Sequence, residues 1–284
     1  MPSPSAPRDR RSQKPRPRPD QQAERSGLSV PGGAKEPLGR DRARLSKSAP
    51  PRVSSTNKTP PRPTFPPDET PQLSRGILRE IDRIVGPGDR AHDIALALSI
   101  GSAAIEDDLI EVARNYLSWA RFHAPKVPPI REAYGVALYL DEAYELAVTE
   151  LQAYKRLTGR NDQNHLIADC FRALGKPLDK IVEMARTAFE DDRVPRDRQA
   201  EAVIVWASAL ADAEDLASAR AVLRRYFDAK PGKNSGDGAP DLRVRVVAAA
   251  LAERANDTRD RDEHRARIVA MDASYFDDEA SERF

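Results

Sequence analysis

Four histidines, His92, His123, His165 and His264, and one cysteine, Cys170, are the first side chains to weigh as nucleophile, base or metal ligand in this chain. Such chemistry needs several of these groups gathered at ligand spacing or oriented by a partner. The histidines instead lie far apart, and none has a second His or Cys at ligand spacing. Each reads as an ordinary surface or boundary residue. Cys170 stands between Asp169 and Phe171, without the cationic or helix-start setting that produces a reactive thiolate. It reads as a buried structural thiol. His165, five residues earlier, falls on a different helical face, which disfavours a Cys-His pair.

The acidic runs Glu106-Asp107-Asp108, Glu190-Asp191-Asp192 and Asp277-Asp278-Glu279 lack the spaced ligands and glycine of a calcium loop. Helix starts and solvated turns account for them. No phosphate-binding glycine loop occurs, and the glycine-rich stretch 231–238 follows no strand pattern and is followed by proline. The reading is therefore a non-enzyme with no catalytic residue, cofactor or metal. One cysteine excludes an internal disulfide and suits a reducing compartment. No apolar run approaches the roughly 20 residues of a membrane span. The basic first residues lead into more Pro and Arg rather than an apolar core, so no secretory signal is expected. The expected location is cytoplasmic.

Charge is unevenly placed along the 284 residues. Residues 1–70 hold 15 of the 24 prolines and 15 Lys or Arg against 7 acids, a surplus of eight positive charges. Of the chain's 46 basic and 45 acidic residues this leaves 31 and 38 for the remainder, a body seven charges negative. A stretch so rich in proline and like charge builds no core, and 1–70 reads as a disordered tail. Its Arg8, Arg10, Arg11, Lys14, Arg16, Arg18, Arg40, Arg42 and Arg44 are candidate polyanion contacts. Without interleaved aromatics they hold phosphates but read no bases, so a weak contact with nucleic acid or ribosomes is one reading. A solubilising tail is another. An SH3-type ligand in PPRPTFPP, residues 60–67, is a third.

From Pro71 the pattern becomes helical. Leu73, Ile77, Ile81, Ile84 and Val85 form one apolar stripe, ended by Gly86-Pro87-Gly88. Helical hairpins follow at about 91–125, 130–159, 163–190, 198–231 and 241–270, with breaks at 106–108, Pro125, Gly159, Gly175 and Pro231-Gly232. Asp241 is the expected N-cap of the last pair, and the closing DDEASERF is expected to fray. Shifting the chain by 34 residues sets Gly135 on Gly101, Ala147 on Ala113 and Leu151 on Leu117. A hairpin with one apolar side too narrow to be its own core must lean on the next. Gly101, Ala113, Gly135, Ala147, Ala168, Ala207 and Ala219 occupy the crossings, with fillers such as Leu117, Leu151, Trp206 and Leu223 between them.

This pattern resembles the tetratricopeptide repeat, whose 34-residue motif takes small residues at its eighth and twentieth positions and often proline at its thirty-second. Gly101, Ala113 and Pro125 match, as do Gly135 and Ala147 (with Gly159 in place of proline) and Ala207, Ala219 and Pro231. The third hairpin matches at Ala168, but Lys180 stands at the small position, which predicts irregular packing of its second helix. Residues 71–284 also resemble an actinobacterial group of tetratricopeptide-like proteins with a Pro/Arg-rich front, on EAYGVALY (132–139) and ADCFRALGKP (168–177). These resemblances imply an all-α fold, an α-solenoid of stacked antiparallel hairpins, and no particular activity.

The resemblance further implies that the fifth, ninth and twelfth motif positions line a concave groove for an extended or helical peptide. Those positions hold Leu98, Ser102 and Ile105; Glu132, Val136 and Tyr139; His165, Asp169 and Arg172; and Ile204, Ser208 and Ala211. The family's clamp for a terminal carboxylate places Lys and Asn at the fifth and ninth positions, where this chain has Leu98 and Ser102, then Glu132 and Val136. That activity does not transfer. The expectation is a protein-binding scaffold for an unidentified peptide or protein, with the basic tail adding electrostatic reach. The alternative is an RNA- or ribosome-associated factor that binds through the tail.

Overall fold

Polar breaks and apolar stripes resolve, in the computed structural model, into eleven α-helices among the described residues, which are 59–229 and 239–276. No strand occurs among them. The nine basic residues from Arg8 to Arg44, the 231–238 stretch and the closing octapeptide, 277–284, lie outside the described residues.

The short helix α1 (Arg75–Val85) begins where the Ser74 hydroxyl accepts the Ile77 amide, and ends at Gly86. Five hairpins follow. They are α2 (Asp89–Glu106) with α3 (Ile110–His123), α4 (Pro128–Leu140) with α5 (Tyr144–Thr158), α6 (Asn164–Ala173) with α7 (Leu178–Glu190), α8 (Arg196–Asp212) with α9 (Leu216–Asp228), and α10 (Ala239–Arg254) with α11 (Thr258–Met271). In each pair the opening helix packs on its return helix, and that return helix packs on the next opening helix. Successive opening helices, α2, α4, α6, α8 and α10, also touch one another.

The seven small residues at the expected crossings are all buried. The reason is distance: a Cβ on Gly101 would lie 2.5 Å from Leu117 Cγ, and one on Gly135 2.7 Å from Leu151 Cδ2. Three apolar clusters result, one over α1 to the start of α6, one over α6 to α10, with Phe171 and Met184 packed against both, and a small one of Leu138, Ala147 and Cys170.

Every opening helix ends with the same device. The residue after the C-cap adopts the left-handed conformation at Asp108, Glu142, Gly175, Glu214 and Asn256, with φ between 56° and 62°. The following amide then reaches five residues back, as from Leu109 to the Ala104 carbonyl at 2.8 Å and from Ala143 to Leu138 at 2.9 Å. Lys176, Asp215 and Asp257 do the same to Phe171, Leu210 and Ala252. This double bond pattern satisfies otherwise orphaned carbonyls and reverses the chain. Only one of the five positions is glycine.

The third hairpin departs by one residue. The N-caps Leu109, Ala143, Asp215 and Asp257 directly follow the left-handed residue, whereas α7 is capped by Pro177, two residues after Gly175. The register therefore slips by one, and Ile181, Ala185 and Ala188 are buried where Ala113, Leu117 and Ala120 are buried in the first hairpin. Lys180 is exposed. The misfit in the sequence is an inserted residue rather than irregular packing.

Two further expectations change. Asp241 is not an N-cap: α10 already begins at Ala239, and the Asp241 carboxylate in its first turn accepts the Tyr226 hydroxyl at 2.7 Å. The expected tail boundary at residue 70 also moves, because residues 62–65 pack against the first hairpin. Pro63 is buried and Phe65 packs edge-on to Tyr116 and Trp119. Composition argued for disorder, but an aromatic shelf supplied by α3 gives this stretch something to bury against.

A left-handed non-glycine residue carries a steric cost of about 1 kcal/mol or more. Glu142→Gly is expected to stabilise the chain by about 0.5 kcal/mol, the relief being partly offset by the freer unfolded chain, whereas Gly175→Ala is expected to cost about 1 kcal/mol. Urea midpoints at unchanged slope measure both. Equal shifts in the same direction would refute the turn geometry.

Candidate partner-binding face

The opening helices carry the residues to which a groove was assigned, and they divide sharply by burial. Leu98, Ile105, Val136, Ile204 and Ala211 are core residues. Glu132 and His165 are also buried. Buried as they are, these seven positions do not line an open groove. Ser102, Tyr139, Asp169, Arg172 and Ser208 stay partly exposed.

Four polar side chains join across this remaining surface. The Tyr139 hydroxyl on α4 donates to Asp169 Oδ2 on α6 at 2.7 Å. Arg172, one turn further along α6, donates Nη1 to Asp169 Oδ1 at 3.1 Å and Nε to Asp212 Oδ2 on α8 at 2.7 Å. One continuous chain of bonds thus spans three opening helices. Burial and the neighbouring Asp169 raise the Tyr139 phenol above its ordinary value, so it stays a donor at neutral pH. Burial alone would lower the Arg172 guanidinium, but its bonds and charge contacts with Asp212 and Asp169 outweigh that and hold it above its ordinary value. The sequence named three of these groups; Asp212, at the end of its helix, was missed.

Beneath this surface lies a buried polar cluster that the sequence did not announce. Glu132 Oε1 accepts Gln163 Nε2 at 2.5 Å, and Arg198 Nη1 stands 3.5 Å from both Glu132 Oε1 and Asp162 Oδ2. Asp162 Oδ2 also accepts the Tyr154 hydroxyl at 3.2 Å and pairs with Arg160 at 2.6 Å. A neighbouring pair of arginines, Arg121 and Arg131, brackets the buried Glu150. Asp162 Oδ1, Gln163 Oε1, Asn164 Oδ1 and His165 Nδ1 make no hydrogen bond within the described residues. Desolvation outweighs Arg198 and raises the Glu132 carboxyl above its ordinary value. The same desolvation, with Arg198 adding to it, pushes His165 down to about 3. His165 is therefore a neutral interior imidazole, not the surface or boundary residue its sequence setting suggested, because α6 turns its first residues toward α8. The run 159–162, GRND, reads locally as a solvated turn before the third hairpin, and nothing in it signals burial.

His92 is exposed, and His123 and His264 are partly buried. Cys170 is buried, with burial and Asp169 pushing its thiol up to about 12. Among the described residues no three His, Cys, Asp or Glu side chains gather as metal ligands. Comparisons with protein-family models, with curated proteins and with solved structures find no match to this chain.

Removing one member of a buried ion pair strands the other. Arg198→Met is expected to lower stability by about 3 kcal/mol at pH 7, because Glu132 and Asp162 then share a buried site without this counter-charge. The loss shrinks as pH falls from 7 to 5, because the raised Glu132 pKa lets that carboxyl take up a proton more readily in the folded chain than in the unfolded one. Guanidinium unfolding at the two pH values reads this, and a loss that grows toward acid would overturn it.

His165 acts with the opposite sign. Its folded pKa is depressed, so the unfolded chain binds a proton that the folded chain refuses. Its contribution is present above about pH 6.5 and is lost as pH falls toward 3. His165→Leu is expected to remove a stability slope of up to about 1.4 kcal/mol per pH unit across that window. The stability difference between the two proteins, measured from pH 7 to pH 4, should converge as acid is added. Parallel profiles would show that the imidazole does not titrate with folding.

Proposed function

We propose that the hairpins form an α-solenoid of the tetratricopeptide kind and that the protein is a non-catalytic interaction scaffold. Its partner is a peptide or protein that docks across the opening helices over Ser102, Tyr139, Asp169, Arg172 and Ser208. The repeated contacts between successive opening helices support the architecture. The single observation that carries the function is the bonded chain Tyr139–Asp169–Arg172–Asp212, which holds polar groups of three helices on one part-exposed face. Tyrosine and arginine dominate binding energy at protein interfaces, and side chains already held in place lose less freedom when a partner arrives.

The basic residues from Arg8 to Arg44 add electrostatic contacts with an anionic region of the partner, and a linked second contact raises the effective concentration at the first. A cytoplasmic setting suits the single unpaired thiol. No helix among the described residues is long and apolar enough to cross a membrane.

Photo-crosslinking from single positions tests the face. A benzoylphenylalanine at Ser102 and another at Ser208 should capture the same species, while one at the distant, exposed Met271 should not. Arg172→Glu should reduce that capture about tenfold or more, corresponding to the loss of a hot-spot side chain. Capture should also persist at 0.5 M salt after removal of 1–58. Capture that disappears with the tail and with salt would assign binding to the basic residues instead.

A further inference from the structure

The clearest ligand-like contact in the molecule is made by its own chain. Residues 59–67 contain neither helix nor strand, apart from a turn beginning at their end, yet α2 and α3 read them through an ion pair, a hydrogen bond and aromatic packing. Arg62 Nη2 pairs with Asp93 Oδ2 at 2.6 Å, and its guanidinium lies 5.4 Å from the Phe65 ring. Pro63 is buried. The Tyr116 hydroxyl donates to the Thr64 carbonyl at 2.6 Å. Phe65 stands edge-on between Tyr116 and Trp119, with ring centroids 5.7 and 5.8 Å away.

Side-chain pockets plus one carbonyl bond, on an aromatic surface, are how proline-rich peptides are usually recognised, because such peptides are already extended and offer few amide donors. We propose that α2 and α3 form a binding site for extended Arg-Pro-x-Phe peptides of a partner protein, and that Arg62–Phe65 is the resident ligand masking it. The site is separate from the face over Tyr139 and Arg172 and does not depend on that reading.

One further feature points to a partner peptide longer than the resident one. Leu109, the N-cap of α3, and Val112 on it precede Tyr116 and Trp119 at helical spacing, and at 53% and 41% exposure they prolong the apolar stripe beyond the resident residues. The resident segment is also joined to α1 by a short connection through Asp68, a non-glycine residue at φ 61°. A tether this short keeps the ligand at an effective concentration on the order of millimolar, so a free peptide meets a site already in use.

The test uses the full chain and a fluorescent decapeptide of residues 59–68, TPPRPTFPPD. An Arg62→Ala, Phe65→Ala variant changes residues outside every helix, and circular dichroism should match the wild type. This variant is expected to bind the peptide at least about tenfold more tightly than the wild type does, since its resident ligand no longer competes. Asp93→Arg in the same background should abolish binding, and a peptide carrying Glu in place of Arg62 should restore it. No binding to the variant, equal binding by variant and wild type, or indifference to Asp93 would show that the contact only anchors the chain. A wild-type dimer that dissociates on Phe65→Ala would assign the site to a second copy and overturn the partner assignment.

Discussion

Leu117 fills the space where a Gly101 side chain would be, and Leu151 does the same at Gly135. The two helices of a hairpin can come together only because one surrenders its side chain at the crossing. Once they do, each hairpin has an apolar flank that it cannot cover alone, and the next opening helix covers it. The left-handed turn at the end of every opening helix serves the same end, since it returns the chain at the angle that places small residue against large. Four non-glycine residues accept that conformation: Asp108 and Asn256 are of types that adopt it at modest cost, while at Glu142 and Glu214 packing on either side overrides the local preference.

Closing the opening helices against one another has an electrostatic consequence. It brings Glu132, Asp162, His165 and Arg198 out of water and into mutual range. Desolvation then works against the charge on Glu132 and keeps His165 neutral. The outer row from Tyr139 to Asp212 lies on the wet edge of the same arrangement. It is what remains accessible of a face that the repeat resemblance would leave open.

Local signals made much of this legible. The hairpin boundaries agree with the helices to within about three residues, and all seven small residues are buried where the repeat put them. The third hairpin is instructive in its failure: Lys180 appeared to break the pattern, but the break was a one-residue insertion at Pro177, and the apolar set moved intact to Ile181, Ala185 and Ala188. The groove was less readable. Motif positions state which residues share a helical face, but whether that face is covered depends on how closely the neighbouring helix approaches. That distance has no local signature at Leu98 or Val136.

The amino-acid sequence alone determined the helices, their turns and the residues that cross, because these depend on contacts within about 34 residues and on side-chain size. Tertiary structure alone decided which polar groups would be buried together, as in the meeting of Glu132 with Arg198, and that PPRPTFPP would lie against Tyr116 and Trp119. Both results bring together groups distant in sequence. Desolvation and aromatic packing act through space, and no local pattern records what a side chain will face once the chain has folded.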